Sequence, residues 1–268
     1  RKKRFKEINL NKSIRIKPDK GEAWADPFLV SFKNSDFVFF ENFEFKHQKG
    51  KISCIKLRDN KVLEKFDILN KKYHLSYPFI WKEKKSFFMI PETSNNKCVQ
   101  IWRSNNFPKS WSLYKKILIG ESCVDTTILN VNKNERWMFT NKSDDKYMDH
   151  NSELYLFKTN AMFTKIIPHE LNPVITDSRF ARNAGNIFRE KKNRLIRPSQ
   201  INIFDFYGKG LNLRLIKKLN LKKYNETQLF TFLPNFKINI NALHHMSQDK
   251  KKYVIDVRYK KFLSFFLT

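Results

Sequence analysis

The sequence predicts an all-β protein, a five-bladed β-propeller with four-stranded antiparallel blades, spanning residues 1–268 as a single domain. Three observations predict it. A hairpin pattern occurs five times, at residues 26–41, 77–92, 125–141, 183–200 and 241–257. Each copy opens on a polar or aromatic residue, runs through a short apolar strand, crosses a charged turn and returns as a second apolar strand. The copies start 51, 48, 58 and 58 residues apart, a spacing typical of solenoids and propellers. No long segment places apolar residues at the three- and four-residue spacing of a helix. Aromatic residues make up 15% of the chain, with 26 Phe, a composition that favours strands.

The elements follow in order. After the first hairpin, residues 51–57 and 62–69 read as two further strands. The second unit adds 98–104 and 111–118, and the third adds 153–159 and 163–168. Four antiparallel strands per unit make a propeller blade. An open stack of such units would need capping repeats, whereas a ring hides most strand edges. The fifth unit is short, with residues 262–267 as its third strand. Residues 5–10, or 13–16, are expected to supply its outer strand and close the ring. The polar stretches 141–151 and 222–227 read as loops inside the repeats, so no domain boundary is expected.

The formal net charge of +27 permits binding to nucleic acid, anionic lipid or acidic glycans. Lysine is spread along the chain beside abundant Asn, Ile and Phe, which reads as compositional bias rather than a patch. The one dense run is Arg1-Lys2-Lys3-Arg4 at the terminus. No specific nucleic-acid partner is therefore expected. Cys54, Cys98 and Cys123 form an odd set without metal spacing, which suits a reducing compartment. The expected location is cytoplasmic, with attachment to a membrane surface as the variant. No segment has the apolar length of a membrane span, and no signal peptide is visible. The first residue is not Met, so the chain reads as part of a longer one. No phosphate-binding loop, dinucleotide fingerprint, zinc pattern or Ser-His-Asp signature occurs.

In a propeller the innermost strands line the axis, and polar residues at their starts converge on one funnel. Those positions are Asp26, Tyr77, Asp125, the Arg179–Asn183 stretch and His244-His245. A sugar needs carboxylates and Arg for its hydroxyls and an aromatic face for stacking, which Trp24 and Tyr77 could supply. Each residue also has a plainer reading. Asp26 and Asp125 could simply cap turns, and Glu92 after Pro91 could be a turn residue. Arg179 and Arg182 could hold sugar or phosphate, or tie two blades together. His244-His245 could be a packed pair, and Trp102, Trp111 and Trp137 read as core.

Several motifs occur in order. They are Ala25-Asp26-Pro27-Phe28, His74 with Tyr77-Pro78-Phe79, Ile90-Pro91-Glu92-Thr93-Ser94, Asn106-Phe107-Pro108 with Trp111, and Val124-Asp125-Thr126-Thr127. Asn172-Pro173-Val174 through Arg179, Ala181-Arg182-Asn183-Ala184-Gly185 and Arg197-Pro198-Ser199-Gln200 follow. Together they resemble the N-terminal propeller domain of plant glucosamine inositolphosphorylceramide transferases and its bacterial relatives. The resemblance covers roughly residues 24–257. It implies a carbohydrate-binding or carbohydrate-active module in surface glycan or glycoconjugate synthesis. It also implies a glycan or sugar-phosphate substrate and a glycosyltransferase or formyltransferase partner domain, neither of which is visible in this chain.

That domain is in turn similar to the five-bladed glycoside hydrolases of family 43. This second likeness carries Asp26 onto the general base and Asp125 onto the residue that tunes the acid. It fails at the acid, because the fourth repeat has no Glu at its start. Glu92 and Glu41 are the nearest candidates, and Glu92 is taken as the third catalytic residue. His245 falls where that family often places a His near an axial metal, so a divalent cation there is the one cofactor to look for. Two alternatives stand beside the leading reading. One is a true glycoside hydrolase with Asp26 as base. The other is a basic scaffold for nucleic acid or anionic membrane, which would need the charge gathered on one face.

Overall fold

Neighbouring residues in the second strand of the first hairpin are buried on opposite faces, and this explains the architecture. Phe37 and Phe39 join one apolar cluster while Val38 and Phe40 join another. Side chains alternate across a strand, so a sheet apolar on both faces must be covered on both. The same division recurs at Phe87 and Met89 against Ile90, and at Trp137 and Phe139 against Met138. Each buried Phe or Leu contributes about 1.5–3 kcal/mol. Sheets standing side by side around an axis meet this demand.

The computed structural model describes residue 10 and residues 13–132, 135–143, 149–190, 193–203, 206–235 and 238–259. It is an all-β propeller with four-stranded antiparallel blades. The first sheet is β1 (Glu22–Phe32), β2 (Ser35–Glu44), β3 (Lys49–Arg58) and β4 (Lys61–Leu69), in that spatial order. The second is β5 (Ser76–Glu83), β6 (Ser86–Glu92), β7 (Val99–Asn106) and β8 (Ser110–Ile117). The third holds β9 (Cys123–Asn130), β10 (Arg136–Lys142), β11 (Glu153–Thr159) and β12 (Ile166–Pro168), and β13 (Ile175–Thr176) also pairs with β11. The fourth holds β14 (Phe188–Arg189), β15 (Leu195–Ile203), β16 (Phe206–Asn220) and β17 (Lys223–Phe232). Two short ladders follow, β18 (Ile240–Ala242) with β21 (Arg258–Tyr259), and β19 (Met246–Asp249) with β20 (Lys252–Ile255).

The inner segments touch in turn. Tyr77 Oη lies 3.0 Å from Thr127 Oγ1, linking β5 to β9. Asn183 Nδ2 donates to the Asp125 carbonyl at 2.9 Å, and Met246 N–H donates to the Ala184 carbonyl at 2.8 Å. Leu29 N–H then donates to Ser247 Oγ at 3.1 Å, so the last inner segment returns to β1. Apolar clusters fill the seams between successive sheets.

Several expectations change. The fourth inner segment is not a continuous strand; a single bridge joins Asn183 to Ser199 before β14 begins. Residues 222–227, expected as a loop, lie largely in β17. Residues 13–16 form no strand, although Arg15 stacks on the Tyr259 ring at 3.8 Å and Ile16 packs beside Trp24 and Val254. The strand expected at 262–267, the terminal run Arg1–Arg4 and residues 5–9 lie outside the described residues. A 3-10 turn at Ser94–Asn96 lies between β6 and β7.

Candidate functional site

The inner strands of the first three sheets share one irregularity. The β1–β2 register slips between Ala25 and Phe28, β5–β6 between Ser76 and Phe79, and β9–β10 around Asn141 and Phe139. At each bulge the leading residue adopts a left-handed backbone: Asp26 at φ 51°, Tyr77 at 44° and Asp125 at 50°. Asp tolerates this conformation, but for a bulky ring it is an outlier costing about 1–3 kcal/mol. The bulges re-aim Asp26, Tyr77 and Asp125. Beside them on the second strands, Glu41 pairs with Ala25, and Glu92 with Ser76.

Ring closure brings the C-terminal repeat to Asp26. His244 Nε2 lies 3.3 Å from Asp26 Oδ1, and His244 Nδ1 lies 3.0 Å from Asp256 Oδ2. Asp256 also accepts the N–H groups of Asp26, His244 and His245 at 3.1, 3.1 and 2.9 Å. Asp26 accepts the Tyr77 N–H at 3.3 Å. On the other side, Arg182 Nε donates to Asp125 Oδ2 at 2.6 Å and its Nη1 donates to Asn151 Oδ1 at 3.0 Å. The Tyr207 ring stacks over the Arg182 guanidinium at 5.0 Å and lies 5.3 Å from the His244 ring.

Glu41 sits near His74, whose Nε2 is 3.4 Å from Glu41 Oε1. Gly50 N–H donates to His74 Nδ1 at 3.0 Å, which leaves Nε2 to carry the proton on a neutral ring facing Glu41. A Cβ on Gly50 would lie 2.6 Å from the Leu75 carbonyl and 2.8 Å from Glu41 Oε1, so this corner accepts no larger residue without moving.

The surroundings push the carboxyl groups in different directions. Burial pushes Glu41 up, and the charges of Asp26 and Glu92 push it well above the usual carboxylate range. Burial also raises Glu92, with Arg182 and the Ser94 hydroxyl pulling back. Burial lifts Asp125 to about 7; Arg182 opposes this, while Glu92 and Asp26 add to it. Asp26 and Asp256 go the other way. Burial works against both, but His244 outweighs it, leaving Asp26 below its ordinary value and Asp256 at about 2. Burial would lower His244, yet Asp256, Tyr207 and Asp26 raise it well above an ordinary histidine.

His244 thus stands as an imidazolium between two carboxylates, and the sign of its contribution to stability follows. The cation contributes stability fully below the unfolded value of 6.5, lost as pH rises through the higher folded value. Asp256 contributes stability above 3.8, lost as pH falls toward about 2. His244→Gln should therefore cost most between about pH 4 and 6.5. Denaturant melts across pH check it, and a penalty that grows above that window would contradict it.

The structure brings Asp26, Tyr77, Glu92, Asp125 and Arg182 toward one end of the inner strands. It does not bring Trp24 or Arg179 there. Trp24 stacks on Phe40 at 4.5 Å and donates from Nε1 to Glu22 Oε2 at 2.8 Å. Arg179 is exposed and paired with Asp177 at 2.7 Å. His245 is fully buried against Phe28 and Tyr77, its ring centroid 4.5 and 5.3 Å from theirs. Both its ring nitrogens lack a partner among the described residues, and burial lowers it to about 4. The set with spacing for a cation is Asp26, His244 and Asp256, whose ligand atoms lie within 4.8 Å of one another. Those three residues fit a divalent ion, which would have to displace one of the two ring protons that His244 directs at Asp26 and Asp256. Sequence reasoning missed Asp256 and Tyr207. The Asp256 signal was its place at the end of the fifth hairpin's second strand, where Glu41 and Glu92 stand in theirs.

The fold and site define a propeller of the type used by glycoside hydrolases, with a carboxyl-rich cluster at one end of its inner strands. The α-L-arabinofuranosidase PaAbf62A of Podospora anserina superposes with a TM-score of 0.64 at 10% identity, covering 87% of this chain and 79% of that one. A variant of the α-L-arabinanase of Cellvibrio cellulosa gives 0.60 at 12% identity, covering 88% and 87%. The sequence profile of the family described as glucosamine inositolphosphorylceramide transferase 1, N-terminal, matches residues 14–259, and the chain belongs to that family. Glucosamine inositolphosphorylceramide transferase 1 of Oryza sativa subsp. japonica is 28% identical over 226 residues, which is 83% of this chain and 30% of that protein. The chain therefore spans about 30% of the length of this relative.

Proposed function

We propose that this chain is a single five-bladed, carbohydrate-binding or carbohydrate-active module that works with a glycosyltransferase in glycoconjugate synthesis. In this reading the two C-terminal ladders are the fifth blade. The observation that carries the function is the gathering of five carboxyl groups at one end of the inner strands of a strongly basic protein. Asp26, Glu41, Glu92, Asp125 and Asp256 lie together, with Arg182 and His244 as the cations that act on them most strongly among the described residues. Ionised carboxylates accept strong hydrogen bonds from sugar hydroxyls, and protonated ones can donate. Such a pocket suits neutral sugars and cationic amino sugars, the latter consistent with the glucosamine in the relatives' name. It disfavours a free phosphate. Calorimetric titration with glucosamine, glucose and glucose 6-phosphate tests this. The amino and neutral sugars should bind, with the phosphate ester at least several-fold weaker. Tightest binding by the phosphate ester, or no binding by any sugar, would refute the reading.

One observation favours a second reading, a glycoside hydrolase. Asp26 is pushed toward the ionised form while Glu41 is pushed toward the protonated one. Glycoside hydrolysis uses such a split pair, a base to activate water and an acid to protonate the leaving oxygen. Glu41 suits the acid better than Glu92, because Arg182 pulls Glu92 back toward ionisation. Release of nitrophenol from aryl glycosides, abolished by both Asp26→Asn and Glu41→Gln, would favour hydrolysis over binding alone.

A further inference from the structure

The inner strands start at the acidic cluster and end at lysine-tipped turns. From Asp26 to the β1–β2 turn at Lys33 is seven residues of strand, roughly 20–25 Å. At that far end stand the exposed Lys33, the β5–β6 turn with exposed Lys84 and Lys85, and the β19–β20 turn with exposed Lys250 and Lys251. Contacts show that these turns share one end of the molecule. A cavity of about 520 Å³ is lined by Lys33, Arg58, Lys250 and Lys251. A neighbouring one of about 360 Å³ shares Lys33 and Arg58 and reaches Phe107 and Lys109 of the β7–β8 turn. Lys82 Nζ lies 5.3 Å from the Phe32 ring, joining the second blade to the same edge.

Three of the acids at this end are engaged, while the exposed Asp59 of the β3–β4 turn makes no ion pair with any described residue. Asp36 pairs with Lys252 at 2.5 Å, Glu64 with Lys109 at 2.5 Å and Glu83 with Arg136 at 2.8 Å. Lys33, Lys84, Lys85, Lys250 and Lys251 make no ion pair with any described residue. Five lysines without an ion-pair partner thus stand around this end of the molecule, while exposed Lys46, Lys72 and Lys97 tip turns at the other end.

We propose that this lysine-tipped end docks on an anionic lipid bilayer, with the acidic pocket opening away from the membrane. The array consists of single lysines at turn tips around a ring. Lysine is a hydrated point charge that suits a diffuse headgroup layer, whereas bidentate recognition of individual phosphates uses arginine. No helix among the described residues is long and apolar enough to cross a membrane, so the contact proposed is peripheral. Each lysine near such a surface contributes about fivefold to partitioning, screened within a Debye length.

Co-sedimentation of the 268-residue chain with phosphatidylcholine vesicles, with and without phosphatidylglycerol, tests this. Binding should require phosphatidylglycerol and weaken with salt. The triple variant Lys33→Gln, Lys85→Gln, Lys251→Gln should lower the partition coefficient about a hundredfold. A charge-matched variant, Lys20→Gln, Lys46→Gln, Lys72→Gln, removes exposed lysines elsewhere on the chain and should change it only a few-fold. Thermal melts check that both variants fold. Equal losses in the two variants, or no dependence on phosphatidylglycerol, would overturn the proposal. So would duplex DNA that binds through the same three lysines more tightly than the vesicles.

Discussion

Glu226→Gln should lower folding stability by about 3–5 kcal/mol, the usual result of leaving a buried charge without its partner. At roughly 2–4 °C per kcal/mol for a chain of this size, the melting temperature should fall by about 10 °C. Glu226 and Arg197 have side chains 3% and 0% exposed. Arg197 grips the carboxylate with two donors, Nε to Oε2 at 2.9 Å and Nη2 to Oε1 at 2.7 Å. Arg214 Nε and Tyr224 Oη donate to the same group. The remaining Arg197 donors reach the Phe180 carbonyl at 2.6 Å, and the Ala181 carbonyl and Asn183 Oδ1, both at 3.2 Å. The network therefore pins to β15 and β17 the segment that carries Arg182 into the pocket. The arginines outweigh burial and hold Glu226 below its ordinary value, so its stabilisation is present above about 4.5 and lost as pH falls through the lower folded value. The penalty of the substitution should shrink in acid. Glu64→Gln, which breaks the exposed pair with Lys109, should change stability by no more than about 1 kcal/mol. Denaturant melts of both variants decide the matter, and equal effects would show that burial is not the cause.

The hairpins were legible because their strands are apolar on both faces and their turns are charged, a pattern that local sequence carries whole. The outer strands of the fourth sheet were not. Both faces of a central strand meet neighbouring blades, but an outer strand such as β17 meets solvent, and its Lys, Asn, Glu and Gln read as loop. Asp26, Tyr77 and Asp125 could be read from their shared place in the repeat. Trp24 misled for a geometric reason. In a regular strand it would share a face with Asp26 two residues on, but the bulge and the left-handed backbone at Asp26 break that alternation. Trp24 accordingly joins Phe40 in the seam with the last ladder. Arg179 was captured locally by Asp177. Asp256 lies 230 residues from Asp26, and only ring closure makes them neighbours. The choice between His244 and His245 was set by the same packing, since one ring had to fill the apolar space beside Phe28 and Tyr77.

Asp26→Asn and Asp125→Asn should each weaken sugar binding by about ten- to a hundredfold, the worth of one charge-assisted hydrogen bond of roughly 1.5–3 kcal/mol. Their cost in stability should be far smaller than that of Glu226→Gln, for reasons that differ between the two. At Asp26 the amide can adopt the same left-handed backbone and still accept the Tyr77 N–H, and His244 keeps Asp256 as its counter-ion. At Asp125 the amide oxygen can still accept from Arg182, and the substitution removes a carboxylate whose ionisation burial already opposes. The pH dependence separates them. Asp125 titrates near 7 when folded against 3.8 as a free side chain, so the native state binds more protons in that window and its stability falls as pH rises through it. Asp125→Asn should abolish this slope, leaving the variant relatively more stable at pH 8 than at pH 4. Asp26 is shifted downward, so Asp26→Asn should show the reverse: a penalty present above about 3.8 that fades in acid until its lower folded value is passed. Calorimetric titration with glucosamine at pH 6 and 8, alongside melts from pH 3 to 9, reads both effects. If both variants bind as the parent does, the carboxylates do not contact sugar and the pocket reading fails. If both unfold, their role is to hold the ring together, and binding must be sought elsewhere on the propeller.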